Sequence, residues 1–267
     1  MSANIRRTIL ERSWRAGVGH IGSSLSIADL MAALYGRALR VSGQADGDRD
    51  RFILSKGHAA LALYAALREA GELDDSQLEA YGTDGTALGG HPEHALGPVE
   101  FSTGSLGHGL SIGVGIALAA RLRRSSSRVF VLLSDAECNE GSVWEAVMFA
   151  AHHRLANLVA IVDANGQQAL GRTSEVLDLE PLVERWSAFA WDAREVDGHD
   201  PDGVARELDE AQGDGRPRVL VARTTFGKGV SYMESQVHWH YWPMSEDQYH
   251  RALGECEVAG GEVKAGP

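Results

Sequence analysis

Asp135 and Asn165 stand where two oxygen donors could share a cation. Asp135 closes the apolar run Arg128 to Ser134, and Asn165 follows the run Leu158 to Asp163. Such β-branched runs read as buried strands of a parallel sheet. A single intervening helix, Ser142 to His153, makes the two strands neighbours, so the loops after them lie side by side. A carboxylate and an amide oxygen there suit octahedral Mg²⁺, which keeps water or a ligand phosphate in the rest of its shell. A backbone oxygen near Gln167 adds another donor. Asp and Asn after strands also form turns and helix N-caps, and the residues alone leave both readings open.

The histidines fall at separate segments of the chain. Imidazoles hydrogen-bond hydroxyls and carbonyls and move protons near neutral pH, although a lone histidine is more commonly a surface or satisfied core residue. His91/His94 and His238/His240 have the spacing of zinc pairs, but no Cys or carboxylate set completes a site. Lys228, between two glycines, suits a phosphate or a solvated turn equally. Asp197-Gly198-His199 reads as a structural turn.

The elements that must position these residues follow from periodicity. A helix is expected up to Ala16, then a polar-small break at Gly17 to Ser24, then a second helix from about Ser26 to Leu39. Arg51 to Leu54 reads as a short strand and Ala59 to Ala70 as an apolar helix. Residues 82 to 105 read as a long loop of the kind compact domains use for function. Beyond it, a helix from Leu106 to Leu122 opens a strand–helix alternation that ends with a helix near Leu179 to Ala188, a strand near Ala190 to Val196, a helix near Pro201 to Gln212 and a strand from Arg218 to Thr224. This alternation predicts an α/β fold, a parallel sheet with helices on both faces and ligand-binding loops along one edge. A single domain spanning 1–267 is expected, with a frayed tail from about Gly254.

Composition narrows the function. A formal charge of −12 speaks against a nucleic-acid or anionic-membrane binder, both of which need clustered positive surface. Arg121, Arg123, Arg124 and Arg128 are a local exception that reads as a solvated helix end. The two cysteines, Cys138 and Cys256, form no CxxC pair, as expected of a reduced cytoplasmic protein. No apolar run reaches the length of a membrane span.

Six segments, in order, carry a family resemblance: AGVGHIGSSLSIADL, FILSKGHAALALYAAL, GGHPEH, STGSLGHGLSIGVGIALAARL, LSDAECNEGSVWEAVMFAAHHRLANLVAIVDANGQQALG and TTFGKGVSYMESQVHWH. The chain resembles transketolases over roughly residues 10 to 250, in the form of the N-terminal subunit of a split enzyme. The resemblance implies a thiamine-diphosphate-binding fold and Mg²⁺ (or Ca²⁺ or Mn²⁺) held by Asp135, Asn165 and the main-chain oxygen of Gln167. It implies that Gly104, Ser105, Leu106 and Ala136 line the cofactor, and that Glu140 meets a glutamate of the partner chain. By the same resemblance His20 and His91 face the transferred two-carbon unit, while His58 and His240 lie toward the diphosphate. The implied partner is a C-terminal transketolase subunit carrying the pyrimidine-binding domain, in an α2β2 assembly acting on sugar phosphates. Alternatives within the cofactor class are a deoxyxylulose-phosphate-synthase-like chain and a 2-oxo-acid-dehydrogenase-like α chain. A non-catalytic, partner-stabilising paralogue is the alternative outside it. The sequence departs from the family pattern at Ser134-Asp135-Ala136, where Gly-Asp-Gly is usual, at Ile21, Gln167 and Ala169, and at Tyr241-Trp242-Pro243.

Overall fold

The computed structural model describes residues 1–40, 48–210 and 214–260, with side chains through Cys256. Helices α1 (Ser2–Ala16), α2 (Ile21–Ser26) and α3 (Ala28–Ala33) and a π turn (Leu34–Ala38) precede β1 (Arg51–Leu54). Helices α4 (Ala60–Glu69), α5 (Asp75–Glu79) and α6 (Gly109–Leu122) lead to β2 (Val129–Ser134), and α7 (Gly141–His152) leads to β3 (Leu158–Ala164). A two-residue hairpin, β4 (Gln167–Gln168) and β5 (Gly171–Arg172), is followed by α8 (Thr173–Val176), α9 (Leu182–Ala188), β6 (Asp192–Asp197), α10 (Pro201–Asp209), β7 (Arg218–Arg223) and α11 (Glu246–Gly260).

The main sheet has the order β1-β2-β3-β7-β6, and every pairing in it is parallel. Alternate residues of each strand point to opposite faces. Phe130, Leu132, Val159 and Ile161 accordingly join the core beneath α1, α3, α4 and α10, whereas Val131, Leu133, Ala160 and Val162 join the core beneath α6, α7 and α9. The reversal of strand order at β6 has a physical consequence. Right-handed crossovers that run one way across the sheet put α7 on one face, and the return step from β6 to β7 puts α10 on the other.

Three departures from the periodicity reading have identifiable causes. Helix α2 begins inside the expected break, at Ile21, because Gly22 packs where a Cβ would overlap the Phe226 ring. Small residues there permit close approach rather than interrupt the helix. The second expected helix is broken at Ile27, and the adjacent Ser26 hydroxyl is drawn to Asp163. Helix α11 lies beyond the elements that periodicity predicts, although Ser245 and Gln248 exchange capping bonds at its start, a Ser-x-x-Gln capping box. Tyr249 on α11 stacks on Trp14 of α1, with ring centroids 4.3 Å apart. The expected fraying at Gly254 therefore gives way to helix through Gly260, and the rest of that tail lies outside the described residues. Arg128 is not a solvated helix-end residue: it binds Asp50 and the carbonyls of Ala38 and Leu208. Among the described residues, no helix is long and apolar enough to cross a membrane.

Candidate active site

The C-terminal ends of β1, β2 and β3 open onto one cleft, whose lining includes Lys56, His58, Ala136, Asn165 and Gln167, with His240 from a later segment. Parallel strands bring these residues together because every strand ends at the same edge. Leu106 and Glu140 also line the cleft, and Glu140 is exposed. Gly104 packs against the His91 ring, while Ser105 is exposed on the same loop.

Asp135 is buried, and its two oxygens accept the Ala136 N–H at 2.8 Å and the Gly166 N–H at 2.8 Å. The second bond ties the loop after β2 to the loop after β3, the juxtaposition that the strand order requires. Among the described residues, no cationic side chain forms a salt bridge with Asp135. Burial, and then the neighbouring Asp163 charge, push its carboxyl up to about 7. A carboxylate so placed gains more from a bound cation than an exposed one does. Ala136 has no positive φ and opens a 3₁₀ turn to Asn139. The local backbone therefore tolerates alanine where the family pattern has glycine.

Beneath the cleft lies a polar layer that the sequence does not announce. Asp163 is fully buried and bonds Lys56, which is itself 1% exposed. It also accepts from the Ser26 and Thr224 hydroxyls and from Asn165 Nδ2. Glu137, likewise fully buried, accepts from the Ser55 hydroxyl, the Gly107 N–H at 2.8 Å and the Ser134 N–H at 3.3 Å. It thereby fastens the loop that carries Gly104 to Leu106. The available signal was a charged residue at the end of an otherwise apolar strand, since buried charges demand partners.

The histidines converge from four segments. The His20 ring centroid lies 5.0 Å from His240, 5.4 Å from His58 and 6.4 Å from His91. His20 adopts φ 60, a sparsely populated conformation for a non-glycine residue, and its N–H donates to the His240 carbonyl at 3.2 Å. Burial, reinforced by His20 and Lys56, lowers the His240 pKa to about 4. Burial and the neighbouring charges lower His58 well below 6.5, and His20 is lowered as well. At neutral pH these three are therefore uncharged imidazoles.

A pH prediction follows from His240. Because its folded-state pKa lies below 6.5, its contribution to stability is fully present above pH 6.5 and is lost as pH falls toward about 4. Thermal melts of the His240→Asn variant are expected to lose less stability over that window than the unmodified chain. Parallel profiles for the two proteins would rule the assignment out.

His199 accepts the Thr225 N–H at Nε2, so its Nδ1–H donates to Asp29 at 2.9 Å. Together with the Arg6–Asp29 pair this network joins α1, α3 and two loops, which bears out the structural reading of that turn. His94 and His238 complete no metal set: among the described residues, no group of three His, Cys, Asp or Glu is placed to hold a metal. Lys228 lies within 3.8 Å of Glu234, away from the cleft.

A five-stranded parallel sheet with a polar cleft at its carboxyl edge defines a cofactor-binding α/β class. Residues 2–255 match the family model for the transketolase thiamine diphosphate binding domain, and the chain belongs to that family. It is an N-terminal, transketolase-like chain. It is 40% identical over 253 residues to one of the named subunits of the apulose-4-phosphate transketolase of Phocaeicola vulgatus, covering 94% of this chain and 90% of that one. It is 38% identical over 261 residues to a 6-deoxy-6-sulfo-D-fructose transketolase subunit from a Clostridium species, covering 96% and 94%. The transketolase structure from Campylobacter jejuni superposes with a TM-score of 0.87 at 27% identity, covering 96% of this chain and 42% of that one. The transketolase from Leishmania mexicana gives 0.86 at 29% identity, with 96% and 41% covered. The chain thus spans about two fifths of those solved transketolases.

Proposed function

We propose that this chain is the diphosphate-binding component of a two-component transketolase. Together with a C-terminal subunit that carries the pyrimidine-binding domain, in an α2β2 assembly, it moves a two-carbon ketol unit from a ketose phosphate to an aldehyde acceptor. The observation that carries the reading is the meeting of Asn165 and Gln167 at one cleft, with Asp135 bound to the same loop through the Gly166 N–H, in surroundings that hold unpartnered polar atoms. Asn139 Oδ1, Gln168 Nε2, His240 Nδ1 and His20 Nδ1 are buried without hydrogen-bond partners. Such atoms are costly unless a ligand satisfies them, and they cluster here. The match in extent to relatives that are themselves named as transketolase subunits supports the two-component form.

The donor set fits a diphosphate-bound divalent ion. Asp135 contributes a carboxylate, Asn165 its amide oxygen and Gln167 its main-chain oxygen; Mg²⁺ suits this set, with Ca²⁺ or Mn²⁺ as substitutes. When bound, thiamine diphosphate supplies the nucleophilic carbon needed to cleave a ketose beside its carbonyl. The protein's share is placement and proton handling. His58 and His240 meet the diphosphate side, and His20 and His91 hydrogen-bond the hydroxyls and carbonyl of the two-carbon unit. Gly104, Ser105 and Leu106 border the cofactor, and exposed Glu140 is free to meet a glutamate of the partner. Residues 1–267 act as one domain in this reading. Cys138 and Cys256 are both buried, and the proposed setting is cytoplasmic.

Half a site should not turn over. Ketol transfer from a ketose phosphate, in the presence of thiamine diphosphate and Mg²⁺, is expected only when the chain is mixed with a pyrimidine-domain partner. Full turnover by the purified chain alone would refute the two-component reading, and turnover of pyruvate in place of a ketose would move it to another thiamine-diphosphate class.

A further inference from the structure

We propose that Asp163 is a positioning residue that fixes which end of the Asn165 amide faces the cleft. The inference rests on the reading of Asp135 and Asn165 as metal ligands and adds a requirement to it. An asparagine binds a cation only through Oδ1; rotated by half a turn, it presents Nδ2–H₂ and repels the ion. The two orientations have almost the same shape, so packing cannot choose between them, and hydrogen-bond partners must.

The surroundings of Asn165 make that choice three times. Asn165 Nδ2 donates to Asp163 Oδ2 at 2.7 Å, and a carboxylate can only accept. Nδ2 also donates to Ser26 Oγ at 3.2 Å. The Ser26 hydroxyl has already given its hydrogen to Asp163, at 2.7 and 2.6 Å from the two carboxylate oxygens, so it too can only accept from Asn165. On the opposite side, Asn165 Oδ1 accepts the Gln167 N–H at 2.9 Å, and a backbone N–H can only donate. Every partner therefore demands the orientation that keeps the amide oxygen with the Gln167 backbone, at the cleft.

Asp163 is in turn held from two further loops. Lys56 Nζ and the Thr224 hydroxyl donate to it from the loops after β1 and β7. The carboxylate sits on β3, a rigid central strand, rather than on the ligand-bearing loop. A support of this kind is how outer groups orient the direct ligands of a metal, and its loss typically lowers metal affinity about 10- to 100-fold.

The test measures Mn²⁺ binding to the full chain with thiamine diphosphate present, by electron paramagnetic resonance. Asp163→Ala removes the acceptor and is expected to raise the Mn²⁺ dissociation constant roughly 10- to 100-fold. Asp163→Asn can keep a carbonyl oxygen beneath Asn165 Nδ2 and is expected to stay within about threefold of the unmodified chain, although it too disturbs the Lys56 pair. A purely structural role would instead rank the two variants by melting temperature, with metal affinity following. Unchanged affinity in Asp163→Ala overturns the proposal, provided that Asp135→Ala abolishes binding. If Asp135→Ala also leaves binding unchanged, the metal-site reading itself has failed. Should Asp163→Ala not fold, the side-chain amide protons of Asn165 in the unmodified chain decide by nuclear magnetic resonance. Slow exchange with solvent is expected, and exchange as fast as that of an exposed asparagine overturns the proposal.

Discussion

Asp135→Ala is expected to weaken thiamine diphosphate binding in the presence of Mg²⁺ by roughly 100-fold or more, read by calorimetry on the chain assembled with its partner. Loss of a supporting group around a metal costs about 10- to 100-fold, and loss of a direct ligand costs at least that. Asp135→Asn removes the charge at nearly the same shape, and it also turns one of the two acceptors that face the Ala136 and Gly166 N–H groups into a donor. The Asp135 carboxyl, raised to about 7 from 3.8, has a folded pKa above its unfolded one. Ionisation therefore works against the metal-free fold, and stability falls as pH rises from about 3.8 through 7. Asp135→Asn should consequently lose less stability than the unmodified chain as pH rises through that window without metal, and bind Mg²⁺ and cofactor poorly. A site kept at the expense of stability behaves in this way. Unchanged cofactor affinity in either variant would remove Asp135 from the site.

The second large effect belongs to Lys56. Its ammonium and the Asp163 carboxylate are both sealed from water, at 1% and 0% exposure. Removing one member of a buried pair leaves the other charged and unpaired, at a cost of about 3–5 kcal/mol. For a chain of this size, 1 kcal/mol corresponds to about 2–4 °C in melting temperature, so Lys56→Met is expected to melt roughly 6–20 °C lower. The double variant Lys56→Met/Asp163→Leu removes both charges and should recover much of that loss, because apolar replacement of a buried pair is often neutral or stabilising. A single variant that melts like the unmodified chain would mean that water or another group compensates Asp163.

Much of the frame was legible in the residues. The runs Val129 to Ser134 and Leu158 to Asp163 are apolar on both faces, which only a covered parallel strand requires. Two such runs separated by one amphipathic helix leave little choice but adjacency. From that adjacency the meeting of Asp135 with the loop of Asn165 follows, and the bond from Gly166 to Asp135 realises it at 2.8 Å. Helix α11 was not among the expected elements, although Ser245 and Gln248 carry a capping-box signal.

Other features were decided only in three dimensions. Nothing in the local pattern of Lys56 or Glu137 marks them as buried, because a charge is exposed by default and interior only when distant chain segments supply partners. Lys56 meets Asp163 across 107 positions, and Ser55 meets Glu137 across 82. Whether four histidines scattered from His20 to His240 share one site depends likewise on how the loops after separate strands close over one another.

Asp135 and Asn165 mark the division. Strand periodicity and the handedness of the crossover were enough to bring their loops together, because both are local rules that hold wherever the strands form. The orientation of the Asn165 amide was settled only by Asp163, Ser26 and the Gln167 backbone. The two amide orientations differ in hydrogen bonding and not in shape, so only assembled partners can tell them apart.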